Sequence, residues 1–211
     1  MIININDSDV GVNNISTLIR KLSFIFGFQD KNVPNYEFVI SPTELDAVSA
    51  LIIFKVFEFS SKNSCLQSPE ANLKTILKLF SIYGIEKMMK KLIHQEQVDE
   101  LYKNLKPTTT SEFFIAPHPI NRESFKNKKE LENRYSQFIA KYYENICPEL
   151  VQYFNTCICE IASNFLYHAL EDNNSILMAQ GDKRKIEIVC VDNSTGILTN
   201  LDPNNKNHKK V

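Results

Sequence analysis

In the stretch "EIASNFLYHALED", residues 160–172, a carboxylate, a carboxamide and an imidazole follow one another four residues apart, at Glu160, Asn164 and His168. Four residues turn an α-helix by about 400°, so each group lies about 40° from the last and the three form one stripe. A carboxylate and a carboxamide one turn apart suit a magnesium–phosphate site. Mg²⁺ takes oxygen ligands and retains several waters, so one Asn oxygen with phosphate oxygens completes its shell. A Glu one turn away can orient or deprotonate a water or hydroxyl aimed at a terminal phosphate. His168 reads as a structural hydrogen-bonding residue rather than a catalyst.

A second group follows in "IEIVCVDNSTGI". Strand alternation puts Ile186, Ile188 and Cys190 on one face, with Asp192 on the same face where the strand ends. A carboxylate there needs a donor, and the amino group of adenine is one. Gly196 lets backbone approach a ligand closely. Each feature alone has a plainer reading. A polar helix stripe is commonly a solvated face, and Asp-Asn-Ser-Thr-Gly is ordinary turn chemistry with Asp capping local amides.

The elements that must position these groups are legible from periodicity. Ile158, Ile161, Ala162, Phe165 and Ala169 share a helical face in a run that starts at Pro148, and the polar stripe is expected on the flank of that face, at the edge of the core. "SILMAQ" (175–180) and "RKIEIVCVD" (184–192) read as two strands of a hairpin joined by "GDK". Before them, "KKELENRYSQFIAKYYENI" predicts a helix with Leu131, Tyr135, Phe138, Ile139 and Tyr142 inward.

The first half reads as a smaller α/β unit. "NYEFVI" (35–40) is a strand, Ser41 is placed to cap a helix with Pro42 at its first position, and "LDAVSALIIFKVFEFSS" is a helix buried on a wide face. "SPEANLKTILKLFSIYG" and "IEKMMKKLIHQEQVDELYKNL" continue as amphipathic helices, the first ending near Gly84. Pro107, Pro117 and Pro119 with a Thr run break the pattern, although "EFFIA" within it reads as a strand. The expected division is a first domain over 1–106, a linker over 107–127, a second domain over 128–202 and a disordered tail over 203–211.

Bulk composition narrows the class. At 211 residues, 43% hydrophobic and 23% charged, the chain has an ordinary globular composition. Its 24 basic and 25 acidic side chains nearly cancel, and the basic tail is short, so nucleic acid is not an expected partner. The five cysteines, Cys65, Cys147, Cys157, Cys159 and Cys190, are an odd number in apolar surroundings without metal-site spacing, which suits buried thiols in a reducing cytoplasm. A nucleophilic role for Cys157 or Cys159 lacks a histidine at a persuasive spacing. No signal-type or membrane-spanning run is present, so a cytoplasmic protein without a membrane partner is expected.

The pattern "E-x-x-x-N-x-x-x-H-A" followed by a strand pair ending "D-N-S-T-G-I" resembles the ATP-binding domain shared by DNA gyrase, heat-shock chaperones, histidine kinases and mismatch-repair proteins, the GHKL group. The Asn-bearing helix of that family matches at Glu160 and Asn164. Its Asp-x-Gly-x-Gly turn matches at Asp192 and Gly196, with Ser194 where the family has its first glycine. The resemblance implies a Bergerat-type layer of helices on a mixed sheet, with ATP and Mg²⁺ as cofactors. Asn164 would be the metal ligand, Glu160 the catalytic base, and Asp192 and Gly196 would hold the nucleotide. "HA" at 168–169 and the "SILMAQ" strand are similar to the anti-sigma-factor kinase branch.

The first half, through strand–helix order and the segment "I-Y-G-I-E-K", is similar to the STAS-like units that precede such an ATPase domain in some bacterial proteins. The expected whole is an α/β (α+β) protein, a STAS-like open sheet followed by a partial Bergerat-type domain. After the first glycine turn the sequence continues only as "ILTNLDPNNKNHKKV", without the family's lid and phosphate-wrapping turn. Two functions are therefore expected in competition. One is a bacterial signalling protein with ATPase or serine-kinase activity and a protein partner, with homodimer formation as an option. The other is a non-catalytic interaction module with a degenerate cleft.

Overall fold

The structure, a computed structural model, describes residues 2–26, 36–62, 66–67, 70–89, 92, 113–120, 128–143, 145, 147–168, 175–182 and 184–192, with some side chains inside these ranges left out. The chain divides into two compact units, Met1–Thr110 and Ser111–Val211. Both mix helices with small sheets.

The first unit has a parallel sheet of β1 (Ile2–Ile5), β2 (Tyr36–Ile40) and β3 (Leu66–Gln67), in that order. Ile3 pairs with Phe38 and Ile5 with Ile40, and all four are buried. The crossovers carry α1 (Ile15–Phe26) and α2 (Ala47–Lys62), which contact each other; right-handed connections between sequential parallel strands place both on one face. α3 (Glu70–Ser81) follows β3, and its Phe80 meets Phe57 of α2, which in turn meets Phe38 edge-on with ring centroids 5.0 Å apart. From Ala47 to Phe57 α2 is buried nearly all round, Ser49 and Lys55 included, which accounts for the apolar stretches Ala50–Phe54 and Val56–Phe57. A short helix, α4 (Glu86–Met89), closes the described part; the rest of the amphipathic segment read over 85–105 lies mostly outside it.

Two elements of this unit, β1 and α1, precede the first strand read from the sequence, at 35–40. The helix cap also differs from expectation. Asp46, not Ser41, accepts the amide hydrogens of Val48 and Ser49, so the helix begins at Ala47, while the Ser41 hydroxyl donates to the carbonyl of Ile5. Pro42 therefore sits in the approach to the helix rather than in its first turn.

The second unit is an antiparallel sheet, β4 (Phe113–Ile120), β5 (Ser175–Gly181) and β6 (Ile186–Val191), in chain order. Between β4 and β5 run α5 (Lys128–Tyr143) and α6 (Pro148–His168). Residues 113–120, inside the span read as a linker, are thus a full strand of the sheet. Their register with β5 shifts between Ile115 and His118, an irregularity that accommodates the prolines. The core joins Ile115 and Ile120 of β4 and Leu177 and Ala179 of β5 to Tyr135, Ile139 and Tyr143 of α5 and Ile158 of α6. Ile186, Ile188 and Cys190 of β6 pack against the same cluster.

Candidate nucleotide-binding face

α6 presents two different faces. Ile158 is fully buried, and Val151, Phe154 and Ile161 pack with it. Glu160 and Asn164 are exposed. By helical angle Glu160 points about 160° away from Ile158 and Asn164 about 120° away. The stripe is therefore open to solvent at Glu160 rather than tucked against the core as its spacing suggested. His168 ends the helix, and its side chain lies outside the described set.

β6 carries the second group. Ile186, Ile188 and Cys190 turn toward the helices, so the pleat aims the next residue of that parity, the exposed Asp192, to the helix side of the sheet where the strand ends. Ser175 bonds to the Cys190 thiol at 2.8 Å, fixing this end of β6 against β5. Ser194 and Gly196 lie outside the described residues, as does the tail over 203–211.

The hairpin before Asp192 is tightly specified. A Cβ on Gly181 would lie 2.2 Å from the carbonyl oxygen of Lys185, closer than any side chain tolerates. The Asp182 carboxylate accepts the amide hydrogens of Arg184 and then Lys185, which hold it below the usual carboxylate range.

The stripe of Glu160 and Asn164 continues toward the start of α6 through Cys157, Tyr153 and Leu150. Steps of three and four residues keep these five within about 80° of arc. Tyr153 is 64% exposed and Leu150 37%, so large apolar groups share the solvent-facing stripe with the polar pair. Sequence reasoning missed them, although the spacing 150, 153, 157, 160, 164 is itself a helical-face signal. A separate cavity of about 470 Å³ lies on another flank of α6, lined by Val151, Asn155, Thr156 and Cys159 with Ser136 of α5; none of the expected site residues lines it.

In the first unit, three aspartates occupy the carboxyl edge of the parallel sheet, where open α/β sheets usually place ligands. Each is engaged by the protein itself. Asp7 accepts from the amide and hydroxyl of Thr43, and Asp9 from the amide of Asn6 and the ammonium of Lys21. Asp46, besides capping α2, accepts from the Ser49 hydroxyl and the Gly11 amide.

Among the described residues, no group of three or more His, Cys, Asp or Glu side chains is arranged to hold a metal, and no helix is long and apolar enough to cross a membrane. Cys159 is buried, and Cys147, Cys157 and Cys190 are partly so; none of these four is in a disulfide. No protein-family model, curated protein or solved structure matches the chain.

Proposed function

We propose that the second unit is a GHKL-type nucleotide-binding domain that binds ATP with Mg²⁺ and serves a bacterial regulatory protein, with the first unit as a STAS-like partner-binding domain. The observations that carry this reading are that α6 presents an exposed Glu160–Asn164 stripe and that β6 of the same unit ends at an exposed acid, Asp192. The chain order, the helix that carries Glu160 and Asn164 followed by the strand pair that ends at Asp192, is the order on which the resemblance rests.

The donor set fits the group. Asn164 offers a neutral oxygen, which Mg²⁺ accepts beside phosphate oxygens and water, and both it and Glu160 are open to a ligand. The metal would supply neutralisation of phosphate charge. Asn164 would ligate it. Glu160, one turn earlier, would accept the proton of a water or a partner's serine hydroxyl, and Asp192 would accept a hydrogen bond from the adenine amino group. The test is ligand-dependent thermal stability. A ligand that binds only the folded chain raises its stability, by about 2.7 kcal/mol at a concentration one hundred times Kd. Mg·ATP should raise the melting temperature of the wild-type chain, and Asn164→Ala and Asp192→Asn should each abolish the rise. No rise in the wild type refutes the reading.

One observation favours the second function. Tyr153 and Leu150 sit exposed on the same stripe, a composition more typical of a protein interface than of a phosphate site. On that reading the face is an interaction surface without catalysis, and Mg·ATP leaves the melting temperature unchanged.

A further inference from the structure

A fully buried hydroxyl lies at the end of the sheet where Asp192 emerges. Ser175 is the first residue of β5 and has no exposed surface. Ile120, the last residue of β4, pairs with it on one side. On the other side the β5–β6 ladder ends one residue further on, at Ile176–Val191.

A hydroxyl taken out of water costs stability unless it is hydrogen-bonded, and an alanine would fill the same place at no such cost. The bonds of Ser175 go to the last two residues of β6. Its oxygen lies 2.8 Å from the Cys190 sulfur, and it donates to the Val191 carbonyl at 3.4 Å. The hydroxyl has one hydrogen. Given to Val191, it leaves the oxygen to accept from the thiol, so the bonds run as a relay from Cys190 through Ser175 to Val191. That carbonyl belongs to the peptide unit that joins Val191 to Asp192. A peptide unit is planar, so holding its oxygen holds the plane from which the Asp192 backbone departs.

We propose that Ser175 is the positioning residue of the adenine subsite: its hydroxyl fixes the Val191 peptide and so aims the Asp192 carboxylate at the base. The inference rests on the nucleotide reading above and adds what sets its specificity. An ionised carboxylate only accepts hydrogen bonds. It takes the amino group of adenine and repels the carbonyl oxygen that guanine carries at the same place. Such discrimination needs the group held to within about 0.5 Å. A carboxylate free to swing turns toward water and favours neither base.

The test compares the dissociation constants of Mg·ATP and Mg·GTP for the full chain and its variants. Ser175→Ala should weaken ATP at least ten-fold and leave GTP unchanged, which removes the preference. A serine with a merely structural role would weaken both alike or neither. Cys190→Ala takes the thiol out of the relay and should lower the preference in the same direction, whereas Cys190→Ser keeps a donor and should retain it. A second readout needs no nucleotide. The NMR order parameter of the Asp192 amide should be about 0.85 in the wild type and fall below about 0.6 in Ser175→Ala. Wild-type ATP binding with preference and order both intact in Ser175→Ala overturns this proposal alone. No ATP binding by the wild type overturns the nucleotide reading and the role of Ser175 with it. Where Ser175→Ala fails to fold, the two Cys190 variants decide, and equal preference in both refutes the relay.

Discussion

The hydroxyl of Tyr143, the last residue of α5, donates a hydrogen bond of 2.7 Å to the backbone carbonyl of Asp182 in the turn between β5 and β6. Thirty-nine residues of chain separate the two, and the ring itself is buried in the core of the unit. The helix layer is thereby tied to the hairpin that ends in Asp192. Tyr143→Phe keeps the ring and strands the carbonyl, so it should lower unfolding free energy by roughly 1 kcal/mol, whereas Tyr143→Ala should cost about 3–5 kcal/mol. Urea unfolding of both variants checks this, and a Tyr143→Phe variant as stable as the wild type would show that the hydroxyl has no role.

Gly181→Ala should be among the most damaging single-methyl additions in the chain. Its Cβ would meet backbone, the Lys185 carbonyl oxygen at 2.2 Å and Ile186 Cα at 2.9 Å, so the hairpin must open to admit it. A loss of roughly 2 kcal/mol or more is expected from the melting curve. A neutral variant would mean that β5 and β6 are not joined in this register.

Asp46→Ala removes one acceptor from four donors: the amides of Val48 and Ser49, the Ser49 hydroxyl and the Gly11 amide. Loss of the helix cap together with the buried Ser49 and the loop amide should cost about 2–3 kcal/mol. Ser41→Ala should cost less than about 1 kcal/mol, because its hydroxyl only supplements the bond that the Ser41 amide already makes to Ile5. Equal effects would return the cap to Ser41.

Acid should unfold the first unit partly through Asp9. Burial pushes its carboxyl upward, but the hydrogen bond from Lys21, the amide of Asn6 and the lysine charge together outweigh that and leave it below the usual value. A depressed folded-state pKa contributes stability above the unfolded value, near 3.9, and loses it as pH falls through the folded one. Stability measured from pH 5 downward should fall in this window. Asp9→Asn should be less stable than the wild type at pH 6, with the gap closing toward pH 2. A constant gap would show that the Lys21 pair contributes nothing.

What the sequence revealed depended on how much each element relied on local pattern. α2, α5 and α6 carry strong helical periodicity, and β5 and β6 are apolar runs flanking a turn, so all five are legible. β1 is not: four residues with an Asn among isoleucines become a strand only because β2 pairs with them in parallel, a long-range event. β4 was legible only in its first part, "EFFIA"; its continuation was masked by Pro117 and Pro119, whose missing amide hydrogens are harmless on an edge strand beside a register shift. The cap at Asp46 lost to Ser41 in the sequence because Ser-Pro is a familiar helix start, and only the Gly11 loop shows why the acid wins. For the site, spacing identified the Glu160–Asn164 stripe and the parity of Asp192. It misjudged how far the stripe turns from the core, because the steps were counted within the stripe and not from Ile158, from which two residues at about 100° each put Glu160 nearly opposite.

The central claim is that Asn164 and Asp192 serve one adenine nucleotide. Equilibrium dialysis of the chain against radiolabelled Mg·ATP and, separately, Mg·GTP addresses it most directly. The account predicts saturable one-to-one binding of ATP, binding of GTP at least ten-fold weaker, and loss of the distinction in Asp192→Asn. Equal binding of the two nucleotides, or binding of neither, would contradict it.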